Sequence, residues 1–135
     1  MACFWQGIQS SLGKEDKIKL GITNSTIPNL IKMLKNKNTR DIKVLWQNKV
    51  LSKKEKEENY IHIKDYNINS HRSGYLCSTC DPFLILLSHT LNINIKHNYL
   101  NNIILYTVNS KNMYIFKSNQ GHFMYKNKIL KCDHP

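Results

Sequence analysis

The chain has 135 residues, 41% of them hydrophobic, and a net charge of +11. That composition excludes a disordered segment and suits one domain, residues 1–135, with its own core. The longest apolar run, residues 83–87, is far too short to span a membrane, and no charged region leads into an apolar stretch with a cleavage site.

The charge invites a nucleic-acid reading, but its make-up argues against one. Lys and Arg total 20, of which only Arg40 and Arg72 are Arg. Lys is a hydrated point charge without the planar fork that reads guanine or grips phosphate. Heavy use of Lys, Asn and Ile suits an AT-rich genome, so part of the basicity reflects codon usage. The four cysteines, with no export signal, are expected as reduced thiols in a reducing, cytoplasmic compartment.

In chain order, residues 3–12 read as a short helix with Phe4, Ile8 and Leu12 on one face. The next stretch, GKEDKIKLGI, has no clear assignment. Pro28 suits the first turn of a second helix bearing Leu30, Ile31 and Leu34. Thr39 is expected to cap a third helix through TRDIKVLWQNKVLSKKEKEE, with Ile42, Leu45, Trp46 and Lys49 at helical spacing and KKEKEE as its solvated face. Residues 59–80 read as loop. Asp81 then caps a helix with Pro82 in its first turn, and FLILLSHTL is apolar almost all round, so this helix should be buried. After it the period changes. INI, IILYTV, MYIF and HFMYK are short β-rich runs, expected to pair as an antiparallel meander. The class is α+β: a helical first half packed on a small, mainly antiparallel sheet.

Cys3 opens the first helix, where unpaired N–H groups and the positive dipole end favour a thiolate. A buried structural thiol is the bland alternative. Of the histidines, His62, His71, His97 and His134 lie in polar stretches and read as solvated. His89, on the buried helix, reads as a core histidine bonded to a backbone carbonyl. His122 follows NQG and opens a strand, which would hold its imidazole at the end of the sheet.

Cys3-Phe4-Trp5-Gln6-Gly7-Ile8, the stretch GYLCSTCDPFLILLSHTLNINI, and Gly121-His122-Phe123 occur in an order that resembles the OTU (ovarian tumour) cysteine proteases. That family includes deubiquitinases and compact viral members. Gly7 stands where the family has a small residue, Leu84, Leu87 and Ser88 match its second helix, and Ile93 and Ile95 match the strand after it. The resemblance implies a papain-like OTU fold and hydrolysis of isopeptide or peptide bonds after a ubiquitin or ubiquitin-like tail. It also implies Cys3 as nucleophile and His122 as general base, with N–H groups at and before Cys3 stabilising the oxyanion. Met1 and Ala2 replace the family's Asp-Gly-Asn, and Met124 stands where many members orient the histidine with Asp or Asn. The implied machinery is therefore a Cys–His dyad, without metal or cofactor, in a monomer acting on ubiquitin conjugates. Its Sγ and a ring nitrogen should lie roughly 3 to 5 Å apart.

A competing reading comes from the other cysteines. Cys77 and Cys80 form a CxxC, and with Cys132 and His134 they could close a tetrahedral zinc site. That would make the chain a non-catalytic basic binding module contacting nucleic acid. Against it, Cys77 and Cys80 read as two free thiols in a loop beside the buried helix.

Overall fold

A computed structural model describes residues 3–119 and 122–130. Three short helices come first: α1 (Cys3–Ser11), α2 (Lys14–Leu20) and α3 (Ile27–Asn36). The stripe expected on α1 is buried, with Phe4, Ile8 and Leu12 all in the core. The unassigned stretch becomes α2 because Asp16 accepts the Gly13 N–H at 3.0 Å, and Gly21 (φ 74°) ends the helix in the left-handed region. Thr26 caps α3 by accepting the Asn29 N–H at 3.3 Å.

The helix expected from Thr39 does not form over its first half. Strands β1 (Leu45–Trp46) and β2 (Lys49–Val50) make a hairpin there instead. Gln47 and Asn48 both have positive φ, 51° and 64°, as a two-residue turn of this hand requires. The Gln47 side chain fastens the turn to the sheet, donating to the Ile103 carbonyl and accepting the Leu105 N–H. Helical spacing at residues 42–49 is thus overridden by pairing with a strand far along the chain. The helix α4 (Lys53–Asp65) starts only at Ser52, which forms a reciprocal cap with Glu55. Residues 59–80 are correspondingly not all loop: α4 runs to Asp65 and a 3₁₀ turn covers Ile68–Ser73. Ile63 is the single residue of α4 that is buried, so no apolar period marks the helix.

Helix α5 (Pro82–Leu91) forms where expected and is buried through Ser88. The strands β3 (Asn94–Tyr99), β4 (Asn102–Thr107), β5 (Asn112–Asn119) and β6 (His122–Leu130) follow. The sheet order is β2-β1-β4-β3-β5-β6, and β5 runs parallel to β3, which corrects the simple meander. After β4 the chain crosses the start of β3, and Asn94 clasps that crossing by accepting the Val108 N–H and donating to the Ser110 carbonyl. The remaining pairs are antiparallel. The molecule is an α+β domain with a six-stranded mixed sheet. Ile95, His97, Ile104, Tyr106, Tyr114, Phe116 and Phe123 line its buried face against the helices. Among the described residues, no helix is long and apolar enough to cross a membrane.

Candidate active site

The first and last described elements meet, since α1 packs along β6. This close approach depends on Gly7, where an added Cβ would lie 2.6 Å from the Phe123 ring. Phe123 is itself held between Phe4 (centroids 4.8 Å apart) and Phe116 (5.1 Å). The packing brings the partly exposed Cys3, at the start of α1, to His122, at the start of β6. Cys3 Sγ and His122 Nδ1 are 3.9 Å apart, inside the interval expected for the pair.

Both residues line a cleft of about 460 Å³. One wall is the extended segment Gly74–Cys77, and another is formed by Tyr99, Leu100, Ser118 and Asn119. Leu76 and Leu100 stand on these walls largely in solvent, 87% and 55% exposed. Leu100 also holds a positive φ of 54°, a strained conformation for a branched aliphatic residue.

The 74–80 segment is anchored from beneath by Asp81. Its buried carboxylate caps α5 through the Phe83 and Leu84 N–H groups, and it also accepts from Tyr75 Oη (2.8 Å) and the Ser78 N–H (3.2 Å). Burial pushes this carboxyl above its ordinary range against the pull of those hydrogen bonds. The Tyr75 ring in turn lies against Phe4, centroids 4.4 Å apart, so the anchor reaches the residue beside Cys3. Burial, reinforced by Asp81, pushes the Cys77 thiol upward, and Cys80 is pushed up to about 11. Both remain free cysteines in the loop before α5.

Several histidines depart from expectation. His97 is fully buried, with Nε2 2.6 Å from Ser118 Oγ and Nδ1 4.0 Å from Cys77 Sγ. Strand alternation with Ile93 and Ile95 is the signal that places it inward. The His71 Nδ1 atom is also enclosed and has no hydrogen-bond partner among the described residues. His62 is exposed, but its Nε2 reaches Tyr75 Oη at 3.3 Å. His89 is only partly buried and accepts the Lys43 N–H, where a bond to a carbonyl was expected. His134 and Cys132 lie outside the described residues, as do Met1 and Ala2. Among the described residues, no cluster of His, Cys, Asp or Glu is arranged to hold a metal.

No carboxylate or carboxamide among the described residues hydrogen-bonds His122. Met124 is exposed beside it, and Asn127 pairs with Ile115, further along the strand. The arrangement offers a thiol, an imidazole within reach of it, and a cleft open to an extended ligand. Comparison with family models, with curated proteins and with solved structures returned no match.

Proposed function

We propose that the chain is a cysteine protease of OTU type, with a papain-like OTU fold, that cleaves isopeptide or peptide bonds after a ubiquitin or ubiquitin-like tail. The observation that carries the reading is the 3.9 Å separation of Cys3 Sγ and His122 Nδ1 at the edge of a cleft. The substrate class comes from the motif resemblance, and a viral, host-cytoplasmic setting from the compact chain and its biased composition.

In this mechanism the Cys3 proton passes to His122 Nδ1 as sulfur attacks the carbonyl carbon. The tetrahedral oxyanion faces N–H groups at the start of α1. Collapse breaks the C–N bond, and His122 returns its proton to the leaving amine. Water, deprotonated by His122, then cleaves the thioester and frees Cys3.

The test is a ubiquitin probe carrying a C-terminal electrophile. Cys3 is expected to form the adduct, Cys3→Ala to form none, and His122→Ala to lose nearly all cleavage activity, because the two act as a unit. Absence of an adduct at Cys3, with the chain folded, would remove the protease reading.

A further inference from the structure

We infer that Ser118 is a substrate-binding residue of the cleft, accepting a hydrogen bond from a main-chain N–H of an extended polypeptide tail, and that His97 and Cys77 hold it in that role. This rests on the protease reading above. A histidine as enclosed as His97 is costly in a core unless each ring nitrogen is served. Here Nε2 meets Ser118 Oγ at 2.6 Å and Nδ1 meets Cys77 Sγ at 4.0 Å. Burial pushes this imidazole down to about 4, so it is neutral near pH 7 and carries a single N–H.

The position of that proton follows from the acceptors around it. The Cys77 thiol has one hydrogen, and we assign it to the acceptors beside it, the Ser78 carbonyl at 3.7 Å and the Asp81 carboxylate, rather than to the ring. Sulfur is therefore the acceptor toward His97, the ring proton sits on Nδ1, and Nε2 is bare. Ser118 must donate its hydroxyl proton to Nε2. Its oxygen keeps only lone pairs for the cleft, which it lines together with Cys3 and His122.

The three side chains thus present a fixed acceptor in a site whose ligand would otherwise meet mostly aromatic and aliphatic surface. A main-chain N–H is the donor that an extended peptide brings whatever its side chains. Ser118 is also well placed along the strand. It pairs with Phe123, the neighbour of His122, and its carbonyl accepts the Leu100 N–H at 3.1 Å, holding Leu100 beside it on the same cleft wall.

The experiment uses the full chain and short peptides ending in Gly-Gly, each with a C-terminal electrophile that traps Cys3 and each methylated at a different backbone nitrogen. One methylation position is expected to slow trapping by about fivefold to tenfold, the worth of one hydrogen bond. In Ser118→Ala that position should carry no extra cost, and Ser118→Thr, which keeps the oxygen, should restore it. A purely structural serine would change all peptides alike and leave the position dependence unmoved. Identical profiles for Ser118→Ala and the unsubstituted chain, or no sensitive position in the unsubstituted chain, overturn the inference while trapping at Cys3 leaves the protease reading standing. Trapping no faster than alkylation by iodoacetamide at equal concentration would defeat both.

Discussion

Gly7 and Phe123 are packed so closely that a single methyl group on Gly7 would sit 2.6 Å from the Phe123 ring. The ring cannot retreat, because Phe4, Phe116 and His97 surround it. The only yielding direction is apart, α1 from β6, and that is the spacing which sets Cys3 against His122.

Gly7→Ala should therefore damage the site more than the fold. Overpacking costs about 1 to 3 kcal/mol, of which the better helix propensity of Ala offsets up to about 1. The Cys3–His122 gap widens, and misplacement on that scale should lower trapping of Cys3 by the ubiquitin probe more than tenfold. Urea unfolding alongside trapping rates checks both halves. A large loss of stability with unchanged trapping would show that the pair does not depend on this contact.

Thiol chemistry should be selective among Cys3, Cys77 and Cys80. Cys80, pushed up to about 11, and Cys77, pushed higher still by burial and by Asp81, hold almost no thiolate at neutral pH. Brief iodoacetamide treatment at pH 7.5 should modify Cys3 first, then Cys80, with Cys77 last; peptide mapping by mass spectrometry reads the order. Early loss of Cys77 would mean that the 74–80 segment opens far more readily than its anchoring by Asp81 implies.

Acid stability should carry the mark of His97. In the unfolded chain its imidazole binds protons near the ordinary 6.5, in the folded chain only near 4. The unfolded state gains the proton first as pH falls, so stability declines from about pH 6.5 and levels off below about 4, by roughly 3 kcal/mol. Asp81, shifted upward, acts in the opposite sense at low pH, so the comparison must be with His97→Gln, where Asp81 contributes equally. The difference in unfolding free energy between the two proteins should shrink across that window. A constant difference would show that folded His97 accepts a proton.

Met124 lies two residues beyond His122, on the same side of β6 and 47% exposed. Met124→Asp places a carboxylate where it can steady the imidazolium, and the expected gain is a few-fold in kcat/KM on a ubiquitin fusion. Lys117 stands directly across the strand pair and competes for the new charge, which limits the gain. An unchanged or lower rate would mean that the carboxylate does not reach the ring.

What was legible in the sequence is what local chemistry determines. Asp81-Pro82 before an apolar run announces α5, and Phe4, Ile8 and Leu12 announce α1, because caps and helical faces are written within a dozen residues. Cys3 and His122 were readable as candidates for the same reason, each sitting at the start of its element. The hairpin at residues 45–50 was not readable, since its stability comes from β4 and from Gln47 reaching residues 103 and 105. The parallel pairing of β5 with β3 was equally hidden: its clasp is one asparagine, Asn94, holding a crossover that no period reveals. His97 was misread because polar neighbours, Lys96 and Asn98, suggested water where strand alternation should have decided. Its partners Ser118 and Cys77, 21 and 20 residues away, carry no local signal at all.

Helix α1 and strand β6 also impose an order in time. The thiol and the imidazole are 119 positions apart, so a chain still emerging from the ribosome holds Cys3 long before any His122 exists to meet it. Until β6 docks, α1 lacks the Phe123 ring that packs on Phe4 and Gly7, and the long loop between the two elements must close to bring them together. On the proposed mechanism, the chain therefore carries its nucleophile before its base has been made, and Cys3 gains that partner only when β6 is in place.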